Sequence, residues 1–287
     1  MRLRAYAKIN LGLDVIGKRE DGYHEVKMVM QTIGMYDQIY IEKIEENEIR
    51  LRTNVPYIPC DEHNLIYQAA ALMKREYKIS GGFDIELKKV IPVAAGLAGG
   101  SADAAATLVG INSIFRLGLD KQALMRLAIK LGADVPYCVM RGTALAEGIG
   151  EILSPLSPMP KSHILVAKPA INVSTRTVYE DLDAQSITNH PDIDALIEGL
   201  DSRQLHNLIP HMGNVLEEVT ANKYPIIREL KERMKELGAV VSMMSGSGPT
   251  VFGIFEDENL AKIAKEILRK EEKAKQVFLT VPFNTRR

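Results

Sequence analysis

Residues Pro92–Ala106 read PVAAGLAGGSADAAA, small side chains almost throughout, broken by one serine and one aspartate. No other stretch limits the fold as much, because a tract this poor in bulk cannot fill a core by itself. From Ser101 onward the apolar positions Ala104, Leu108, Ile111 and Ile114 recur at helical intervals. The spacing therefore predicts a glycine loop feeding a helix that opens at Ser101 and packs its small residues closely. A helix start leaves backbone N–H groups without partners and carries partial positive charge. Gly96, Gly99 and Gly100 just before it let an anion approach the backbone. Two readings stand side by side on this tract alone: a phosphate cradle, or Ser101 as a simple N-cap on a tightly packed helix. Asp103, an acid in the first turn, complements the helix dipole and would repel a triphosphate, so it is set aside.

The loop matches neither G-x-x-x-x-G-K-[ST] nor G-x-G-x-x-G, since no lysine follows the glycines and Ala98 breaks the second pattern. A Walker-type NTPase and a dinucleotide-binding Rossmann domain are both disfavoured. A phosphate site here needs its positive charge from elsewhere in the chain.

Arg4–Val15 and Met28–Ile44 are rich in β-branched residues and read as strands, joined by the turn-rich connector Gly17–Glu25. Leu65–Tyr77 has helical spacing, with Asp61 and Asn64 as cap candidates. Phe83–Val93 alternates like a strand and Lys121–Gly132 like a helix, followed by loop, strand and turn across DVPYCVMRGTALAEGIGE. Ser154–Lys161 carries three prolines, cannot continue either element, and reads as a linker. Beyond it come a strand at His163–Ala167 and helices at Ser174–Leu182, Ile193–Gly199, Tyr224–Leu237 and Asn259–Lys270. Between the last two helices, GAVVSMMSGSGPTVFGIF predicts a strand, a glycine turn and a second strand, with Met243 and Met244 as core. LRKEEKAK, Leu268–Lys275, reads as a solvated helix face. The expectation is an α+β chain of two domains, 1–153 and 154–287.

Composition narrows the function classes. A net charge of −1 gives no electrostatic footprint for bulk nucleic acid or a membrane surface. Cys60 and Cys138 make no disulfide framework, and no Cys/His spacing matches a zinc site. The N-terminal segment carries polar residues inside its apolar run, unlike a signal peptide, and no run of about 18 apolar residues exists. Expected are a cytoplasmic protein, a small-molecule substrate, neither nucleic-acid nor membrane partner, and a monomer or weak homodimer.

Three segments together resemble the GHMP small-molecule kinases, the family of galactokinase, homoserine kinase and mevalonate kinase. They are AKINLGLDV at Ala7–Val15, PVAAGLAGGSADAAA, and SGSGPTVFG at Ser245–Gly253, and their order and spacing cover nearly the whole chain. The loop departs from the family pattern at Ala98, where glycine is usual. Within the family, AKINLGLDVIGKREDGYHEV, LGADVPYCVMRGTALAEGIGE and VSTRTVYE resemble the branch acting on diphosphocytidyl-methylerythritol in non-mevalonate isoprenoid synthesis. The resemblance implies an N-terminal domain like ribosomal protein S5 domain 2, a ferredoxin-like C-terminal domain, and an active site in the cleft between them.

It also implies roles. Asp134 matches the family's general base, which would take the proton of the attacking hydroxyl. Local sequence alone favours a capping aspartate after Gly132, and the resemblance reverses that weighting. Lys8 sits in an apolar strand where an unpaired ammonium is expensive to bury, and the resemblance sets it beside the reacting hydroxyl as the electrostatic partner of Asp134. Asn10, on the same strand face, would bond the methylerythritol part. Cytosine would stack between Tyr23 and Tyr179, with His24 reading its polar edge. A surface turn also explains Tyr23 and His24. Pro92, Ala94, Gly96, Leu97, Ala98, Gly99, Gly100, Ser101 and Ala102 would hold ATP phosphates. Asn64 would lie near the adenine, unless it is only a cap. Gly246 and Ser247 would lie near the methylerythritol and the transferred phosphate. Mg2+ is expected from phosphoryl transfer, with no acidic pair announcing its ligands. Another GHMP kinase, a decarboxylase of the superfamily and a non-catalytic nucleotide-binding module remain as alternatives, and retention of both Lys8 and Asp134 speaks against the last.

Overall fold

A computed structural model describes residues 1–182 and 187–284 of the chain. In chain order its elements begin with β1 (Arg2–Lys18), β2 (His24–Ile44), β3 (Ile49–Thr53), α1 (Leu65–Tyr77), β4 (Gly82–Lys88), α2 (Gly99–Ile114), α3 (Lys121–Ala128) and α4 (Asp134–Met140). They continue with β5 (Thr143–Glu147), β6 (Ile152–Pro155), β7 (His163–Lys168), α5 (Thr175–Asp181), α6 (Ile193–Asp201), α7 (Leu205–Leu208), β8 (Gly213–Asn214) and α8 (Leu216–Lys223). The last are α9 (Ile226–Glu236), β9 (Val241–Met244), β10 (Val251–Phe255), α10 (Glu258–Lys270) and β11 (Gln276–Thr280). Two compact units divide the chain: Met1–Ala7, Met35–Val93 and Ala98–Arg141 form the first, and Lys8–Gly34, Ala94–Leu97 and Gly142–Arg287 the second.

In the first unit β4 pairs antiparallel with the end of β2 and parallel with β3. Ile39, Ile41, Phe83, Ile85 and Leu87 alternate inward and are buried, the period of two that a half-covered sheet requires. The covering layer is α2, buried from Ala102 to Leu108, with α1 and α4 packed on it. A Cβ on Gly110 would lie 2.6 Å from Leu3 Cδ1 and 2.9 Å from Ile41 Cδ1. The small residues of this helix thus let it lie close on the sheet.

In the second unit β5 pairs antiparallel with the start of β2 and with β6, and β8 pairs parallel with β1. A separate antiparallel sheet runs β11-β7-β10-β9. With the helical segments between β7 and β9 and α10 between β10 and β11, this is the ferredoxin-like order. All five residues of β10 are buried, as are Met243 and Met244.

Several expectations are corrected. The DVPYCVM segment is helix α4, because Pro136 falls in the first turn, where its missing N–H costs nothing. The strand expected to reach Val93 ends at Lys88, as Lys89 turns inward to two carboxylates. The Pro-rich segment is tethered: Ser154 and Pro155 pair with β5, and the buried Met159 donates its N–H to Thr143 Oγ1 at 3.1 Å. The helix at the Lys-rich tail stops at Lys270, with Leu268 buried. β8, α7, α8 and β11 had no counterpart in the sequence reading.

Candidate active site

In the first unit α2 opens at Gly99, two residues before the expected start. Its N-cap is Ala98, in the left-handed region at φ 53°, ψ 32°, and no side chain caps the helix. Ser101 therefore stands inside the first turn and is not the N-cap. By contrast Asn64, Asp120, Ser174, Asp192 and Asp257 cap α1, α3, α5, α6 and α10 with side-chain oxygens. Ala102 N bonds Ala98 O at 2.8 Å, so the N–H groups of Gly99, Gly100 and Ser101 precede the first intrahelical bond. Gly100 is exposed. Open amides at the positive end of a 16-residue helix can receive an anion. Pro92 is buried ahead of the loop.

The carboxamide of Asn64 is committed at both ends: Oδ1 accepts from Ile66 N at 2.9 Å, and Nδ2 donates to Pro59 O at 2.8 Å. Asp134 is the first residue of α4, half-buried, on a helix that packs against α2.

Sequence reasoning missed a buried cluster beneath this helix start. Lys89 Nζ meets Asp37 Oδ2 at 2.5 Å and Asp103 Oδ2 at 2.7 Å, with all three side chains 6% exposed or less. Asp37 Oδ1 also accepts from Ile91 N at 2.8 Å, and from Val90 N. Burial opposes the Lys89 charge, but Asp103 and Asp37 outweigh it and hold the ammonium above its ordinary pKa. Burial likewise pushes the Asp103 carboxyl well above the carboxylate range, more than the Lys89 charge pulls it down, and the Asp37 charge adds to the rise. Among the described residues Asp103 Oδ1 is buried and finds no hydrogen-bond partner. The only local signal was an acid and a lysine placed where neither has an apolar reason to be.

In the second unit Lys8, Asn10, the loop and the second glycine turn come together. Lys8 is 5% exposed and Asn10 0%, and Lys8 Nζ donates to Asn10 Oδ1 at 2.7 Å. Asn10 Nδ2 faces Met28 Sδ at 3.2 Å. Lys8 N donates to Leu97 O at 3.1 Å, stitching the loop to β1. Ala94 and Gly96 both take positive φ, 49° and 71°. A Cβ on Gly96 would lie 2.1 Å from Ser245 O and 3.1 Å from Gly248 O. Only glycine lets the two turns touch this closely. Ser245 Oγ donates to Gly96 O at 3.0 Å. Gly246, at φ 58°, lies against the same group: its Cβ would stand 3.4 Å from Lys8 Nζ and 3.5 Å from Asn10 Oδ1.

His24 and Tyr179 rings approach to 5.2 Å between centroids at 33°, while Tyr23 is 61% exposed. Burial, with the charge of Lys18, lowers the His24 pKa. Thr175 Oγ1 and Ser247 Oγ lie 2.8 Å apart, so the helix bearing Tyr179 is tied to the second turn. His190 Nδ1 meets the buried Asp14 at 2.7 Å, a pairing that nothing in the local sequence announced.

Among the described residues, the one cluster of metal-capable side chains is Asp61, Glu62 and His63, all exposed. No helix among them is long and apolar enough to cross a membrane.

The family model of the GHMP kinases N terminal domain matches residues 64–142, and that of the GHMP kinases C terminal domain matches residues 190–274. A 4-diphosphocytidyl-2-C-methyl-D-erythritol kinase of Lachnospira eligens is 55% identical over 99% of this chain and 98% of its own. One from Clostridium perfringens is 47% identical over 99% of both chains. A crystal structure of 4-(cytidine 5'-diphospho)-2C-methyl-D-erythritol kinase superposes with a TM-score of 0.85 at 33% identity, covering 99% of this chain and 100% of that one. Mevalonate kinase of L. major shares the fold at a TM-score of 0.77 and 16% identity. On the matched domains and on relatives aligned over nearly its whole length, the chain belongs to the GHMP kinases.

Proposed function

We propose that this kinase transfers the γ-phosphoryl group of ATP to the 2-hydroxyl of 4-diphosphocytidyl-2-C-methyl-D-erythritol, giving the 2-phosphate and ADP in non-mevalonate isoprenoid precursor synthesis. The observation that carries the reading is the stitch between β1 and the loop. Lys8 N–H bonds Leu97 O at 3.1 Å, so the strand with the buried ammonium is fixed two residues before the uncapped amides of α2. We take Lys8 of β1 as the cation that a loop without its own lysine needs.

Backbone N–H groups within Pro92–Ala102 receive the phosphates, chiefly those of Gly99, Gly100 and Ser101, with Asn64 on the adenine side. The Asp134 carboxylate accepts the hydroxyl proton as that oxygen bonds to the γ-phosphorus and the bond to ADP breaks. Lys8 serves as the electrostatic partner of this base and favours the charge developing on the transferred group, and Asn10 orients the methylerythritol hydroxyls. Tyr23 and Tyr179 flank the cytosine, His24 bonds its edge, and Gly246 and Ser247 line the methylerythritol and phosphate. Mg2+ would be held mainly by the nucleotide, with the Ser101 hydroxyl as its ligand from the chain, since Asp103 is already committed to Lys89. It would supply charge neutralisation for the transferred phosphoryl group. We read the protein as cytoplasmic, a monomer or weak homodimer without nucleic-acid or membrane partners, with ATP-binding work in 1–153 and substrate-side work in 154–287.

A coupled ADP assay with the cytidylated substrate, homoserine and mevalonate decides the matter. ADP should form with the first alone. Turnover of homoserine or mevalonate instead, or of none of them, overturns the assignment.

A further inference from the structure

The turn that carries Gly246 and Ser247 is held from outside itself. β8 sends it Asn214, and α8 sends it Glu217 and Thr220, three apart and so neighbours on one face of the helix. Asn214 Nδ2 donates to Met244 O at 2.9 Å and Gly246 O at 2.8 Å, the carbonyls on either side of Ser245. Its Oδ1 accepts from Leu216 N at 3.0 Å. Glu217 Oε2 accepts from Met244 N at 2.7 Å, and Thr220 Oγ1 donates to Ser247 O at 3.2 Å. Of the three, Asn214 alone lies in a strand: it is the register partner of Leu13 on β1, and Val215 N bonds Leu13 O at 3.1 Å. β1 is also the strand of Lys8 and Asn10, against which Gly246 packs.

We propose that Asn214 is a positioning residue for phosphoryl transfer: its carboxamide fixes the second glycine turn against Lys8 and Asn10, and so sets where the Lys8 ammonium stands. This rests on the reading of Lys8 and Gly246 given above. A primary amide is the side chain that offers two N–H donors and an acceptor in one plane, and all three are used here. Both donors fall on carbonyls of the turn, so distance and orientation are set together. Aspartate would keep the acceptor that serves Leu216 N, but would aim a second oxygen at two carbonyl oxygens. Glu217 and Thr220 grip Met244 N and Ser247 O and leave the Gly246 carbonyl to Asn214.

The test compares Asn214→Asp and Asn214→Ala with the parent in kcat, in KM for ATP, in melting temperature and in amide exchange across 244–248. In Asn214→Asp, which retains the acceptor at the start of α8, kcat should fall at least about tenfold, as a displaced catalytic group requires. KM for ATP should stay within about twofold, and exchange should quicken at 244–248 while the β3–β4 pair is unchanged. Asn214→Ala should lose as much kcat with a larger drop in melting temperature. A parental kcat in Asn214→Asp, or unaltered exchange at 244–248, overturns the proposal. The exchange readout needs no turnover, so absence of ADP formation by the parent sinks the proposed reaction and leaves this question separately answered.

Discussion

Lys89 Nζ lies 2.7 Å from Asp103 Oδ2 inside the first unit, under the helix start that the kinase reading assigns to phosphate. The pair is not a simple salt bridge, because Asp37 presses a second carboxylate on the same ammonium. Burial raises the Asp103 pKa in the folded chain well above the unfolded value. Between those two values the native state holds more protons than the unfolded one, so stability falls as pH rises through the window. Asp103→Asn removes that titration and leaves Lys89 paired with Asp37. The variant should gain on the parent as pH rises above the ordinary carboxylate range. Parallel melting curves at four pH values check this, and a constant difference between the two proteins would remove the protonated Asp103.

Ala98 gives a prediction of opposite kind. It is an L-residue at φ 53°, a conformation costing about 1 kcal/mol that glycine does not bear. Ala98→Gly relieves this, less the added entropy of the unfolded chain. The expected net gain is about 0.5 kcal/mol, a rise of about 1–2 °C in melting temperature. Destabilisation would mean that the Cβ packs usefully and that the strain argument fails.

Gly96 and Gly100 should separate folding from binding. A Cβ on Gly96 meets backbone oxygen at 2.1 Å, while one on Gly100 meets only Leu65 Cδ1 at 3.5 Å. Gly96→Ala should cost about 2 kcal/mol or more, since two backbone segments must part. Gly100→Ala should melt like the parent yet raise KM for ATP, if phosphate comes to the α2 amides. An unchanged KM for ATP in Gly100→Ala would move the cradle elsewhere.

Much of this architecture was legible because local chemistry announces it. Lys8 and Asn10 interrupt an apolar strand on one face, and the glycine loop leads into a helix too small-sided to pack any other way. What stayed hidden depends on partners far along the chain. Lys89 finds Asp37 and Asp103 across 52 and 14 residues, and no window around any one of them shows the other two. α4 was masked by Pro136, which reads as a breaker until its place in the first turn is known. β8 and α8, across GNVLEEVTANK, carry too short a pattern to signal a strand or a helix, although β8 delivers Asn214 to the turn and α8 delivers Glu217 and Thr220.

The His24 ring beside Tyr179 should show its role through pH. Burial, then the Lys18 charge, lowers its pKa from the ordinary imidazole value, so it is neutral at pH 7. A neutral ring can donate or accept at a cytosine edge, whereas the protonated ring only donates. KM for the cytidylated substrate should be flat from pH 8 to about 6.5 and rise in more acid solution, with KM for ATP unmoved over the same range. His24→Phe keeps the ring contact and removes the edge bonds, and should raise substrate KM at every pH. A variant whose KM matches the parent at pH 7.5 would take His24 out of recognition.

Lys8→Met carries the sharpest expectation. The side chain is 5% exposed and its ammonium bonds Asn10 Oδ1. Methionine fills similar space and ends the cost of keeping a charge dry, but leaves Asn10 Oδ1 without its donor, a loss of about 1–3 kcal/mol. These effects oppose each other, so the melting temperature should move by only a few degrees. Catalysis has no such offset. With no lysine in the loop, the charge developing on the transferred phosphoryl loses its cation from β1, and kcat should fall about 10²–10³-fold. Measuring both on one preparation separates the two effects. A folded Lys8→Met enzyme with parental kcat would leave the loop without its cation and the proposed mechanism without its electrostatic partner.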